Sequence, residues 1–424
     1  MKVAVIGAGY VGLVQSAGLA HLGHEVALSD VNDERIDALR RGDTPIYELG
    51  LEDLLHRADA YGLLSLHTDN LEAVIGARAV FLALPTPQTA TGHADLSFIE
   101  GAVDQLAPAL GPGGVIVTKS TVPVGTARRL QRRIDGLGST VRMVSNPEFL
   151  REGSAVDDFL HAERVVIGAD DWDAGDLVES LYGGLDTTIV RTDPSSAELI
   201  KYASNAYLAT RLTFANSIAN LAEEVGADIA DVMLGMGLDR RIGRHFLQPG
   251  PGYGGSCFPK DTAALVALSE EADFDFRLVR TVIEVNAQQR ERIVERLRRI
   301  VGGSLEGIRV GMWGLAFKAG TDDVRESPAL DLGRRLVAAG AKVVAHDPAA
   351  TTDELSMADD PLDALDDADL LLVATEWPEY LRIPLTEVAD RMRGRAVYDA
   401  RNLLDASEVR AAGFEYHALG RPSA

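Results

Sequence analysis

Val3-Ala-Val-Ile6-Gly7-Ala-Gly9-Tyr-Val-Gly12 opens the chain, and the reading of this stretch decides the fold. An apolar run enters a glycine turn, a helical pattern follows through Leu22, and a second apolar run, Glu25–Leu28, ends at Asp30. Strand, tight turn, helix and strand in that order begin a doubly wound α/β domain. In the Gly-x-Gly-x-x-Gly turn, Gly7 permits the tight bend, Gly9 lets backbone approach a pyrophosphate, and Gly12 allows close strand–helix packing. Glycine-rich turns are common, so the context carries the weight. This one follows a strand, opens a helix, and has Asp30 about 20 residues on. A carboxylate there accepts from a ribose 2′-hydroxyl and repels a 2′-phosphate, so NAD is the expected cofactor. Arg35 tempers this, since a nearby cation could receive the phosphate. One lysine followed by apolar residues also has the look of a signal peptide, but the three glycines are better explained by the turn.

Working outward, further strands are expected at 79–84, 114–118, 141–145 and 164–167, separated by helical stretches and Gly/Pro turns. One nucleotide-binding domain then occupies residues 1–194. From Ser195 to Val225 apolar residues recur every three or four positions without proline or glycine, which predicts a helix of about 30 residues. Such a helix serves as a spine between domains or a contact between subunits, within a helical middle domain over 195–300. Near Ile308 the first pattern returns: a strand entering a turn with Gly311 and Gly314, a helix over 328–339, and strands at 342–346, 370–374 and 396–398. This second unit, 301–424, lacks the third glycine, so it should hold something other than a dinucleotide pyrophosphate in that manner. The expected architecture is α/β: two Rossmann-like doubly wound domains joined by a long central helix and a helical middle domain. An acidic stretch around Asp359–Asp369 reads as a solvated face.

A chain of 424 residues is large enough for two or three cores. Its formal net charge of −23 argues against nucleic acid and anionic membrane surfaces as partners. The lone cysteine excludes an internal disulfide and any multi-cysteine metal site. No run of about 18 apolar residues is present to span a bilayer, and a cytoplasmic location is expected. Only six basic residues are lysine: Lys2, Lys119, Lys201, Lys260, Lys318 and Lys342. An acidic, lysine-poor chain suits a salt-rich cytoplasm, where screening reduces self-repulsion; a GC-rich genome favouring arginine codons is the alternative.

Three further segments carry chemistry. Gly254-Gly-Ser-Cys257-Phe-Pro-Lys260-Asp261 follows Pro249-Gly-Pro-Gly-Tyr253. A lone cysteine is commonly a small buried hydrophobe, but here a glycine loop, a lysine and an aspartate surround it. The cation favours thiolate. A thiolate that attacks an aldehyde gives a thiohemiacetal; hydride loss to NAD makes a thioester, and water releases an acid. Asn146-Pro-Glu148-Phe-Leu-Arg-Glu152-Gly153 lies just after a strand, at the end where doubly wound sheets bind ligands. Its two carboxylates could activate water or hold hydroxyls, or simply form an exposed charged turn. Lys201 and Asn205 share one face of the long helix. Together they could stabilise an alkoxide or bond a sugar, although both residue types are ordinary on a solvated surface.

Assembled, these segments resemble the UDP-glucose/GDP-mannose dehydrogenase family from end to end. The shared strings are GAGYVG, LPTP at 84–87, KSTVPVG at 119–125, NPEFLREG, ELIKYASNAYLA, GYGGSCFPKD, WGLAFKAGTDDVRESPA and ATEW at 374–377. Four of the six lysines fall inside them. The resemblance implies a four-electron oxidation of a nucleotide-sugar hydroxymethyl to a carboxylate with two NAD reduced. Cys257 is then the nucleophile. Lys201 with Asp261 and an ordered water handles the alcohol proton and oxyanion, Asn205 supports the oxyanion, Glu148 assists thioester hydrolysis, and Thr121 orients water or sugar. The implied cofactor contacts are Gly7, Gly9, Tyr10, Val11, Gly12, Asp30, Arg35, Thr86, Thr121, Glu152 and Arg325. The implied substrate contacts are Glu148, Phe149, Leu150, Glu152, Lys201, Asn205, Gln248, Gly252, Tyr253, Gly254, Phe317, Lys318 and Arg401. Arg241 is presented to a neighbouring subunit's ligand, and the implied assembly is a homodimer through the central helix. The strings look most like the UDP-glucose branch. The GDP-mannose and UDP-N-acetylmannosamine branches would run the same chemistry. Outside the family, a plain two-electron hydroxyacid dehydrogenase needs no cysteine, and a catalytically silent NAD-sensing binder has no use for Cys257, Lys201 and Asp261 together.

Overall fold

Strand β1 (Lys2–Ile6) sends alternate side chains into two separate cores. Val3 and Val5 pack on one side of the sheet, Ala4 and Ile6 on the other, all four essentially inaccessible to solvent. That is why the run is apolar throughout rather than alternating: helices cover both faces of a parallel sheet. A computed structural model describes residues 1–89 and 93–422 of the chain. The remaining strands of the first sheet are β2 (Glu25–Ser29), β3 (Leu64–His67), β4 (Ala79–Leu82), β5 (Val115–Thr118), β6 (Arg142–Ser145), β7 (Arg164–Gly168) and β8 (Thr188–Thr192). Their spatial order is β3-β2-β1-β4-β5-β6-β7-β8. The first six follow the doubly wound 3-2-1-4-5-6 order, and β7 joins antiparallel to β6 with β8 parallel beside it.

The chain forms two compact units, Met1–Ser204 and Asn205–Ala424. The dividing point lies within the expected long helix, which runs Pro194–Val225, 32 residues. In the second unit its small buried residues Ala215, Ala219 and Ala222 meet Ile229 and Met233 of the helix Ile229–Gly237. Helices Phe258–Glu271 and Arg277–Ile300 complete the helical part.

The second sheet contains β9 (Arg309–Trp313), β10 (Lys342–His346), β11 (Ser356–Met357), β12 (Leu370–Val373), β13 (Ala396–Asp399) and β14 (Glu415–Ala418). All its pairs are parallel, in the order β11-β10-β9-β12-β13-β14, which repeats the 3-2-1-4-5-6 pattern. The expected class, two Rossmann-like doubly wound sheets with long helices joining them, is what the chain forms.

Two details differ from expectation. Gly311 is not part of the turn but sits inside β9, where a Cβ would collide with Leu365 and lie 2.7 Å from the Ala364 carbonyl oxygen. The same contact corrects the acidic stretch. Asp359, Asp360, Asp363, Asp366 and Asp367 are exposed, but Ala364, Leu365 and Ala368 are buried, and a 3₁₀ turn (Asp363–Leu365) packs against β9 at Gly311.

Candidate active site

At the end of β1 the three glycines are required for three different reasons. Gly7 has φ +103°, and a Cβ there would lie 2.5 Å from the Ala83 carbonyl oxygen. A Cβ on Gly12 would overlap the carbonyl oxygen of Gly7. Gly9 has ordinary φ, and a Cβ on it would meet nothing within 4 Å. No protein atom explains that glycine. It caps the helix Tyr10–His21, whose first N–H groups point into this open space, so the site fits a dinucleotide pyrophosphate. Asp30, just past β2, closes the turn: Oδ2 accepts from the Ala8 N–H at 2.8 Å and from Arg35 at 3.1 Å, and Oδ1 accepts from the Asn32 N–H at 2.9 Å. Three donors occupy a carboxylate with about four acceptor positions, leaving capacity for a ribose hydroxyl. Arg35 is held on Asp30 rather than presented to a phosphate, which removes the objection to NAD.

Around this turn, Tyr10 donates its hydroxyl hydrogen to Glu48, and Val11 lies half-buried in the first helical turn. Glu48 also accepts from the N–H groups of Gly153 at 2.7 Å and Ala155 at 2.8 Å. It thereby ties the loop carrying Glu148, Phe149 and Glu152 to the glycine-turn helix. Thr86 donates to the Thr121 carbonyl at 3.1 Å, joining the loops that follow β4 and β5.

Beyond β6 the exposed-turn alternative fails for Glu148, which is buried. Lys201 Nζ, with only 3% of its side chain exposed, donates to Glu148 Oε1 at 2.7 Å, and the Leu150 N–H donates to Oε2 at 2.6 Å. Burial pushes the Glu148 carboxyl up, but the Lys201 ammonium and these hydrogen bonds outweigh it and hold the group below the usual carboxylate range. The half-buried Phe149 ring lies 5.5 Å from Lys201 Nζ and is stacked by Arg164 at 3.9 Å. Behind the pair is a residue the sequence reading did not single out. Lys119, directly after β5, is buried and donates to Asn146 Oδ1 at 3.0 Å and Tyr182 at 3.3 Å. Its position at the ligand-binding end of a strand, inside a shared string, was the signal available.

In the second unit Cys257 is the N-cap of the 14-residue helix Phe258–Glu271, with Pro259 in its first turn. Cys257 is half-buried, not packed away as a core residue, and Ser256 Oγ lies 3.5 Å from its sulfur. A helix N-terminus favours a thiolate. Asp261, fully buried one turn into the same helix, accepts from Asn205 Nδ2 at 2.6 Å and Lys260 Nζ at 2.7 Å. The long helix therefore contributes Lys201 to one unit's cluster and Asn205 to the other's.

The loop before Cys257 is held by buried amides: Asn216 accepts from the Gly250 N–H at 2.8 Å and Asn286 from the Tyr253 N–H at 2.8 Å. Added Cβ atoms on its glycines would lie 2.9 Å from Arg401 Nη1 at Gly250, 2.7 Å from Asn286 at Gly252, and 2.9 Å from the Phe317 ring at Gly255. Gly254 abuts the Glu326 carbonyl. Arg401 donates to the Phe317 carbonyl at 2.9 Å and pairs with Glu376 at 3.0 Å. Tyr253, Gly254, Phe317 and Arg401 are thus brought together, with Lys318 Nζ 5.9 Å from the Phe317 ring. Gln248 is exposed at the loop's start. After β10, Asp347 takes the place Asp30 has after β2, but five donors converge on it: the N–H groups of Leu315, Ala316, Ala349 and Ala350, and Trp377 Nε1. No acceptor capacity remains for a ribose, a second reason why this sheet does not read a dinucleotide in the first sheet's way.

Comparison with known proteins settles the ancestry. Residues 1–186 match the NAD binding domain of the UDP-glucose/GDP-mannose dehydrogenase family, 195–288 its central domain and 311–406 its UDP binding domain. The chain belongs to this family. It is 42% identical to a UDP-glucose 6-dehydrogenase of Rhizobium meliloti, covering 100% of both chains. It is 41% identical to UDP-glucose 6-dehydrogenase TuaD of Bacillus subtilis, covering 100% of this chain and 94% of that one. Among solved structures, a UDP-glucose dehydrogenase from Pyrobaculum islandicum superimposes with TM-score 0.90 at 39% identity, over 99% of this chain and 98% of that one.

For a member of the UDP-glucose/GDP-mannose dehydrogenase family, two further expected contacts are arginines of the second unit. Arg325 forks onto Asp323 at 2.7 Å, and its carbonyl accepts from the Gly255 N–H. Arg241 is paired with Asp239 and is 88% exposed.

Proposed function

We propose that this chain oxidises the C6 hydroxymethyl of UDP-glucose to a carboxylate, with Cys257 holding the half-oxidised sugar. The observation that carries this reading is the sulfur at a helix N-terminus, one turn from the Asn205–Asp261–Lys260 chain. NAD, held by the glycine turn and Asp30, supplies a hydride acceptor for each of two oxidations. Lys201, once the proton it shares with Glu148 has left, takes the alcohol proton as the first hydride departs. The Cys257 thiolate then attacks the aldehyde carbon, and Asn205 and Lys201 stabilise the resulting oxyanion. Loss of the second hydride leaves a thioester on Cys257. Glu148 guides water to that carbon, the C–S bond breaks, and the thiolate returns. The balance is one alcohol, one water and two NAD consumed, against one carboxylate, two NADH and three protons. A thiol that must stay reduced suits a cytoplasmic enzyme.

UDP-glucose is favoured over GDP-mannose because full-length relatives at 41–42% identity are UDP-glucose 6-dehydrogenases, whereas a Pseudomonas aeruginosa GDP-mannose dehydrogenase structure matches at 30% with TM-score 0.55. The test is NADH formation on UDP-glucose, GDP-mannose and UDP-N-acetylmannosamine. The expected result is two NADH per sugar with UDP-glucose at a kcat/KM at least about tenfold above the others. One NADH per sugar, or preference for GDP-mannose, overturns the proposal.

A homodimer is supported by the long helix, where Tyr207, Phe214 and Leu221 recur every seven residues and are 62%, 48% and 54% exposed. A seven-residue apolar stripe on a straight helix fits a second copy of the same helix. Phe214→Glu should convert the dimer to a monomer in sedimentation analysis. An unchanged sedimentation coefficient would place the contact elsewhere. Arg241, exposed and paired with Asp239 two positions before it, is then able to swing toward a partner's ligand.

A further inference from the structure

The mechanism above uses Lys201 and Glu148 but leaves a second lysine unassigned. Two lysines and one carboxylate are buried on neighbouring elements: Lys201 of the long helix donates to Glu148 at 2.7 Å, and Lys119 after β5 donates at 3.0 Å to Asn146, two residues before Glu148. Lys119 is not there for want of another place. Asn146 Oδ1 and the Tyr182 hydroxyl accept its hydrogens, Tyr182 donates to Asn146 at 2.6 Å, Gln15 donates to Tyr182 at 3.0 Å, and Asn146 donates to the Val166 carbonyl at 2.7 Å. That network fixes the amine in one position. The titratable groups facing it are Glu148, Lys201 and Tyr182.

A lysine ion-paired to a buried carboxylate is a poor base, because losing its proton leaves the carboxylate unpaired in a dry site. The proton then moves to the carboxylate instead of leaving the pair. A second cation beside the same carboxylate changes this balance: it keeps the carboxylate ionised and repels the proton on the first lysine. We propose that Lys119 is a positioning residue for the oxidation, sharing Glu148 with Lys201 so that the cluster can release one proton at working pH. Burial pulls the Lys119 ammonium down to about 7, with Glu148 pushing it back up and Lys201 adding to the fall. The released proton belongs to the cluster as a whole rather than to either amine.

The inference rests on the reading of Lys201 as proton acceptor. Its test is the pH profile of kcat for the full-length enzyme with UDP-glucose and NAD, in Lys119→Met and Lys119→Arg. Methionine removes the charge, so Lys201 holds its proton more tightly, and the limb on which activity rises with pH should move up by about one unit. Arginine keeps a permanent charge, so that limb should stay in place or move down. A uniform loss of rate with unmoved limbs in both variants overturns the inference, as does an upward shift in Lys119→Arg. Should Lys119→Met not fold, Lys119→Gln, which also removes the charge, takes its place with the same upward shift expected and an unmoved limb overturning the inference. Lys201→Met separates the two levels. If that variant keeps the wild-type limb, the role of Lys201 itself is wrong; if it loses the limb while the Lys119 variants keep it, only the part assigned to Lys119 fails.

Discussion

Cys257→Ser is expected to lower acid formation by about a thousandfold or more while leaving cofactor and nucleotide-sugar affinity within a few fold. Sulfur and oxygen differ little in size, and Cys257 sits at a helix cap rather than in a core, so the fold should not notice the exchange. The chemistry should. A helix N-terminus stabilises a thiolate, whereas a hydroxyl at the same place stays protonated, and the aldehyde is no longer captured. Stopped-flow NADH formation and mass analysis of the product would measure both effects. Two-NADH turnover sustained by the serine variant would refute a covalent stage.

Gly12→Ala should be nearly as damaging, but through structure rather than reactivity. A Cβ at this position overlaps the Gly7 carbonyl oxygen, a backbone atom, and lies 3.3 Å from Ala83 Cβ, so no side-chain rotation relieves it. The helix Tyr10–His21 must move away from β1, at a cost of about 3 kcal/mol or more. The same shift re-aims the N–H groups that face the pyrophosphate, and NAD affinity should fall by about a hundredfold. Thermal unfolding and NAD titration read the two losses separately. Gly9→Ala is the control: a Cβ there meets no protein atom, so stability should hold while NAD binding suffers. Equal stability loss in both variants would count against assigning the Gly9 space to the cofactor.

Interior strands were legible in the sequence and edge strands were not. The runs expected from residues alone correspond to β1, β2, β4, β5, β6 and β7 of the first sheet and β9, β10, β12 and β13 of the second. The four not anticipated, β3, β8, β11 and β14, are the four sheet edges. An interior strand of a doubly wound sheet is buried on both faces and must be continuously apolar, as in Ala79–Leu82. An edge strand has one unpaired side and partial exposure, so Leu64-Ser-Leu-His67 or Glu415-Tyr-His-Ala418 carries no such run.

The site divides along a similar line. Turn chemistry and motif spacing are local, so the glycine roles, Asp30 and the reactive cysteine could be read from the chain before any coordinates. Which charges share a dry space is not local. Lys201 and Asn205 look like surface residues in isolation, and only folding buries them against Glu148 and Asp261, 53 and 56 positions away. The order of residues by itself determined two dinucleotide-type folds, the cofactor turn and the candidate nucleophile. Tertiary structure alone decided that Lys119 is buried on Asn146, two residues from the carboxylate of an ion pair already formed. Electrostatic influence depends on distance and dielectric, and neither is written in sequence separation.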